Sequence, residues 1–407
     1  MLLVSMLVLL FVFSLIGMEI AWAIGFAAFG YLVLSQFEPF GTPLILFSQL
    51  MIVGLNSYIL IAIPLFIFAG ELMNKSGVTQ RIVALAAALV GHIHGGLANV
   101  GVVANFIMSG ISGSALADAA ATGTVLIPEM KKRGFPPAFS SAVIASAATV
   151  GPIIPPSISF VLLGAIAEVS VGRLFMGGVV PGFIMFVTMF GLTFWICRRN
   201  DYPVEKKATI QQRGNALVNG FLALLAPAFV VGSIVGGIAT PTEAAAVAVF
   251  YTLFLGVVVY RNTSLRDIVD SAGQAAVSSS VIMLTVATSQ IFAFLAVAEN
   301  LGEILTNAML SVSDNVYALL LMANLLMLFL GMFMEILPIM LILAPILFPL
   351  FTGMGISDVH LGVVMVLNLM IGMITPPIGL NLFVLSAISG VGVIEMFRSA
   401  VPYFFCL

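Results

Sequence analysis

Two short runs that no regular helix can pass through govern what this chain can fold into. Gly151 to Pro156 reads GPIIPP and Gly372 to Pro377 reads GMITPP, each inside an otherwise apolar stretch. Proline lacks the amide donor and its ring clashes with the preceding turn, so a Gly-x-x-x-Pro-Pro run ends an α-helix. The runs lie 372 − 151 = 221 residues apart, and Gly110/Gly331, Pro128/Pro349, Gly134/Gly355 and Pro181/Pro402 keep the same spacing. The chain therefore reads as two copies of one unit. Its 407 residues are 61% hydrophobic and 8% charged, against about 25% charged in soluble domains, which puts most of it in a bilayer. There, each freed carbonyl or amide costs several kcal/mol unless something polar meets it. Two broken membrane helices at matching places in two halves imply a transport site.

Other classes are excluded in turn. The net charge is −3, and no basic cluster is large enough to hold nucleic acid. Cys197 and Cys406 offer no disulfide framework. His92, His94 and His360 have no Cys or carboxylate partner at metal spacing and read as interfacial side chains. No Ser-His-Asp, Cys-His or HExxH constellation and no phosphate-cradling loop is present, so no enzyme is expected. A channel needs a polar pathway with rings of charge, which the scarcity of mid-membrane charge opposes. The opening MLLVSMLVLLFVFSLIGMEIAWA lacks a basic n-region and is expected to be retained as the first spanning helix.

Lys131-Lys132-Arg133, the stretch Arg198 to Arg213, and Arg261 with Arg266 orient the chain by the positive-inside rule. From a cytoplasmic Lys131 loop, crossings are expected at 138–168 (the broken helix), 178–197, 216–235, 243–260 and 275–297. Five is odd, so the second copy is inverted, and its matching loop, Thr352 to Met354, has no Lys or Arg. Arg173 falls on the outer side as a minor exception. Before each broken helix lies an apolar stretch interrupted by small residues: 104–130 with a turn at Gly110 to Ala115, and Leu319 to Leu350 with a turn at Gly331 to Pro338. Each is expected to be a re-entrant hairpin with arms too short to span. The fold expected is an all-α polytopic membrane protein of two inverted-topology repeats, each with a re-entrant helical hairpin and a broken transmembrane helix. Scaffold helices are expected over 1–74 and 214–298, a cytoplasmic arm helix over 75–96 and an outer one over 299–313. The transport-domain halves are 97–177 and 314–397, and 178–213 is a helix with a cytoplasmic linker. Pro181 is expected to open a full apolar helix. Its counterpart in 398–407 is expected to be cut short, since the chain stops at Leu407.

The candidate chemistry is oxygen-rich. The first tip offers Ser109, Ser112, Ser114 and Asp118, and the adjoining break offers the Pro152 to Pro156 carbonyls, Ser157 and Ser159. The second offers Glu335, Thr375, Gly379 and Asn381 around Gly331 and Gly372. Hard cations take oxygen ligands, and carbonyl ends of broken helices can replace water around Na⁺. Helix N-termini at the same breaks present free amides to an anion. Each residue also has a packing reading: small residues permit close helix approach, and a proline pair can simply kink a helix. Asp118 can cap a helix. Glu335 is expected to cap or stabilise its tip, because an acid beside an anionic substrate repels it. Thr240, Pro241 and Glu243 read as a helix start with a capping acid.

At these residues the chain resembles the large membrane subunit of tripartite ATP-independent periplasmic (TRAP) transporters, the DctM or SiaM type. The resemblance runs from about residue 1 to the end. It rests on GISGSALADAAATGTVLIPEMKKRGF (110–135), GPIIPPS (151–157), GGIATPTEAAA (236–246) and GMITPPIGLNLFV (372–384). It implies the ion-transporter superfamily and an elevator-type importer of the bacterial inner membrane driven by sodium. It implies a small membrane subunit (DctQ/SiaQ type) and a periplasmic binding protein (DctP/SiaP type) delivering an organic acid, such as a C4-dicarboxylate or sialic acid. Carried over, one sodium site takes Ser112, Ser114, Gly151 and Pro155, and another Gly331, Gly372, Thr375 and Pro376. Substrate lies between the tips and breaks, with Ser112, Gly113, Ser114, Pro156, Ser157, Gly379 and Asn381 as candidate contacts. A stand-alone sodium/dicarboxylate carrier of the same architecture is the alternative. No organic cofactor is expected.

Overall fold

The computed structural model describes residues 2–37, 41–204 and 207–407, and among these all regular structure is helical. Residues 205 and 206, within the expected 198–213 linker, lie outside the described residues. The first copy opens with α1 (Leu2–Leu15), α2 (Ile20–Ser35), α3 (Leu46–Leu55), α4 (Ala62–Lys75) and α5 (Val78–Val90). Its hairpin is α6 (Gly96–Ser112) with α7 (Ala115–Lys132). Its broken helix is α8 (Pro137–Ala148) with α9 (Ile158–Ile166), and α10 (Val171–Arg199) closes it. The second copy runs through α11 (Ile210–Val235), α12 (Pro241–Phe254), α13 (Leu265–Ala298) and α14 (Leu301–Val312). Its hairpin is α15 (Val316–Gly331) with α16 (Ile336–Gly353), its broken helix α17 (Asp358–Gly372) with α18 (Leu380–Ser389), and α19 (Val393–Phe404) ends it. Shifting α7 by 221 (115 + 221 = 336, 132 + 221 = 353) gives the bounds of α16, so the repeat in sequence is a repeat in structure.

Two contacts pin the ends of the broken helices. Lys131 Nζ, at the base of the first hairpin, donates to the carbonyl of Ser389 at the end of α18. Arg173 Nη2 lies 3.3 Å from Asp358 Oδ2 at the base of the second hairpin, just after α9 ends. Each broken helix thus starts at its own hairpin's base and finishes beside the other's. The 12 and 9 residues of α8 and α9 rise roughly 30 Å together, the thickness of the hydrocarbon core. The two hairpins therefore enter from opposite ends, which makes the copies inverted. Arg173, unexplained in the sequence, has its acid here. Around this unit α4 and α13 pack together, with α2 on α13 as α12 is on α4. This is a pseudo-two-fold arrangement.

Among the described residues, four helical stretches outside the hairpins are long and apolar enough to cross a membrane, Tyr58–Lys75, Val171–Arg199, Pro241–Val259 and Leu265–Ala298, and the bent pair Ile210–Val218 and Gly220–Val235 is a fifth if taken as one span. Several expectations are corrected. The opening segment is not one spanning helix. It breaks at Gly17 (φ +84°), where Met18 N bonds back to Phe13 O, a glycine-terminated C-cap, and α1 and α2 fold against each other. Pro181 lies inside α10 rather than at its start. That helix begins at Ser170, whose hydroxyl accepts the Arg173 amide. α11 and α13 start earlier than expected because capping boxes at Thr209/Gln212 and Ser264/Asp267 nucleate them upstream. The hairpin arms α7 and α16 are 18 residues each, longer than the short arms expected. Both helices continue through their internal prolines, Pro128 in α7 and Pro345 and Pro349 in α16. The capping box at Thr240 and Glu243, with Pro241 in the first turn, is present as expected.

Candidate functional site

A cavity of about 410 Å³ lies where the two hairpin tips meet α4 and α13. Ser112 to Ala117 enter from the first tip, Glu335 to Leu337 from the second, and Pro152, Ile158 and Ser159 from the first break. The opposite wall comes from α4 and α13, through Gly70, Glu71 and Asn74 on one and Val277 to Ser278 on the other. Chain segments more than 200 residues apart (335 − 117 = 218) thus share one chamber.

Behind the first tip is a closed polar cluster. Gly113 turns the chain at φ +61°, and a Cβ there would come within 2.6 Å of the Pro156 carbonyl oxygen. Only glycine fits this touch of tip on break. Ser114 then caps α7, accepting from Ala117 N at 3.4 Å. Ser112 Oγ donates to Asp118 Oδ1 at 2.6 Å and accepts from Ser114 N at 3.2 Å. Asp118 is fully buried, and its other oxygen, Oδ2, has no hydrogen-bond partner. That oxygen faces Gly151: a Cβ on Gly151 would sit 3.0 Å from Asp118 Oδ2 and 3.1 Å from Ala148 O. A buried carboxylate oxygen left unpaired is costly. The hydroxyls, carbonyls and carboxylate around it are oxygen groups of the kind hard cations take as ligands.

The second break is built differently. Gly331 and Gly372 meet backbone to backbone, so that a Cβ on Gly372 would lie 2.7 Å from the Gly331 Cα. Gly379 N bonds to Met332 O at 3.3 Å, tying this break to the second tip. Thr375 Oγ1 bonds to Ile371 O at 2.8 Å, inside its own helix end. Asn381 reaches across to the first copy, Nδ2 to Ala145 O at 3.3 Å, and leaves its buried Oδ1 unpaired. The peptide bonds Pro155–Pro156 and Pro376–Pro377 are both cis.

Some anticipated side chains are engaged elsewhere. Ser157 Oγ donates to Pro152 O and accepts from Phe160 N, so it caps α9 and does not line the chamber, whereas Ser159 does. Ser109 Oγ donates to Asn105 O within α6. Glu335 holds the N-cap position of α16 yet makes no capping bond, contrary to expectation, and its side chain belongs to the cavity wall. The sequence reading missed Glu71 and Asn74. Their signal was there, since an acid inside the apolar run AIPLFIFAGELMNK is a functional candidate at membrane depth.

Paired hairpins and paired broken helices closing on one chamber define a secondary transporter of the membrane. The fold is shared with the YdaH transporter of Alcanivorax borkumensis, at TM-score 0.61 and 14% identity, covering 88% of this chain and 84% of that one. It is shared also with Neisseria gonorrhoeae MtrF, described among antimetabolite efflux pumps, at TM-score 0.62 and 12% identity, covering 99% and 92%. The family model for the DctM component of the tripartite ATP-independent periplasmic transporter matches residues 7–407, and this chain belongs to that family. It is 37% identical over 386 residues to the sialic acid TRAP transporter large permease protein SiaM of Vibrio cholerae, covering 95% of this chain and 90% of that protein. It is 37% identical over 388 residues to the 2,3-diketo-L-gulonate large permease YiaN of Escherichia coli, covering 95% and 90%. To the C4-dicarboxylate large permease DctM of Rhodobacter capsulatus it is 35% identical over 410 residues, covering 97% and 92%. It is a multi-pass membrane transporter subunit, not an enzyme.

Proposed function

We propose that this protein is the sodium-coupled permease of a bacterial inner-membrane importer of an organic acid. In this reading it works with a small membrane subunit and a periplasmic binding protein that delivers the acid. The observation that carries the reading is the convergence of both hairpin tips on one chamber, with the unpaired Asp118 oxygen directly behind it. Sodium beside Asp118, Ser112, Ser114, Gly151 and Pro155 would neutralise the buried acid and hold the first tip against its break. Acid and ion then share one closed unit, and neither gains by entering alone. A second ion would use the Gly331, Gly372, Thr375 and Pro376 backbone and hydroxyl. The unit formed by 97–177 and 314–397 would move as an elevator against the scaffold of 1–74 and 214–298, with 75–96 and 299–313 as its arms.

The test is reconstitution of the permease with its two partners in proteoliposomes and a panel of radiolabelled acids. Uptake is expected with an inward sodium gradient and not with potassium in its place. Equal uptake in both would remove the coupling ion from the reading.

A further inference from the structure

The walls of the central chamber bear on which acids it accepts. Glu71 on α4 and Glu335 at the start of α16 enter it from two different elements. No lysine, arginine or histidine lines it among the described residues. Neither acid is held in an ion pair or side-chain hydrogen bond among the described residues. Lys75, one turn beyond Glu71, acts on it electrostatically but lines a second cavity, which it shares with Arg81. Asn74 stands beside Glu71 on the same wall, with Ser278 opposite on α13.

We infer that the chamber selects polyhydroxylated monocarboxylates over compact dicarboxylates, and that Glu71 is a specificity-determining residue which accepts hydrogen bonds from substrate hydroxyls. The inference rests on the reading of the protein as an organic-acid carrier. A single carboxylate has a place at the first tip, where Ser114 and the first-turn amides of α7 at Ala115 and Leu116 line the chamber. The far end of the molecule then meets Glu71 and Asn74. An ionised carboxylate only accepts hydrogen bonds, so it matches hydroxyl groups, and such charge-assisted bonds are the stronger kind. A second carboxylate at that end would meet Glu71, and no cationic side chain lines the chamber to receive it. A volume of about 410 Å³ also lies within the roughly 300–1,000 Å³ of ordinary small-molecule sites, more than a four-carbon diacid fills.

The experiment measures binding to the purified permease in sodium chloride, by calorimetry, for gluconate, N-acetylneuraminate and succinate. One or both sugar acids are expected to bind at least ten-fold tighter than succinate. Glu71→Gln is expected to weaken the sugar acid about ten-fold and to narrow its advantage over succinate, with the unliganded melting temperature unchanged. Succinate binding tightest to the native protein overturns the inference, as does an unaltered ratio in a folded Glu71→Gln protein. Both results leave the carrier reading standing. Binding of no acid at all fails the carrier reading itself and this inference with it. The native-protein comparison decides the matter even where the variant does not fold.

Discussion

Asp118 has two oxygens with different fates. Oδ1 is satisfied by Ser112, while Oδ2 is buried beside Gly151 with no partner. Asp118→Asn keeps the shape and removes the charge that a bound cation would answer. The variant is expected to fold, with the sodium concentration for half-maximal uptake raised at least ten-fold; an unchanged sodium dependence counts against the site. Gly113→Ala tests the neighbouring turn. Forcing a Cβ into left-handed backbone costs about 1–2 kcal/mol, and the Pro156 carbonyl leaves no room for it. A lowered melting temperature and lost uptake are expected; a native melt and native uptake would show the tip to be looser than the geometry requires. At this scale the sequence was a partial guide. Ser112, Ser114 and Asp118 stood out because polar residues crowd one glycine-rich turn. Ser157 misled, because a hydroxyl in a break serves equally as ligand or cap, and only the positions of Pro152 and Phe160 decide which. Glu71 was passed over because its helix carries no break to draw attention to it.

Elements defined by backbone chemistry were readable in advance. The breaks between α8 and α9 and between α17 and α18 come from residues that cannot continue a helix, wherever they are placed. Replacing Pro155-Pro156 by Ala-Ala restores the missing donor and is expected to let helix run on through the break and abolish uptake. Robust transport by the folded variant would strip the break of its role. Thr240→Ala removes the hydroxyl that caps α12 and is expected to cost about 1 kcal/mol. That cost is measured as a small fall in melting temperature with transport retained. Element lengths were less readable. The capping serines and threonines that extend α11 and α13 lie in polar stretches that resemble linkers, and Gly17 sits in a run apolar enough to pass for one span.

At the scale of the molecule, inversion was legible by counting crossings from the positive loops. The contacts Lys131–Ser389 and Arg173–Asp358 give it a physical form. Cysteines placed at 131–133 and at 352–354 are expected to react with impermeant reagent from opposite sides of the membrane; labelling from one common side contradicts the mirror relationship. What the sequence could not convey is how the halves interlock, because that depends on pairs such as Asn381 and Ala145 that no local pattern links. The copies also differ in one respect. Residues 46–75 correspond to 267–296 (46 + 221 and 75 + 221), which are unbroken helix in α13. In the first copy the same length is jointed, α3 ending at Leu55 and a 3-10 turn, Tyr58–Ile61, leading into α4. A continuous rod resists flexing and a jointed one yields where its hydrogen-bond ladder lapses. The two copies thus share one length of chain in two forms, a single uninterrupted rod in α13 and a rod parted at Asn56 and Ser57 in its counterpart.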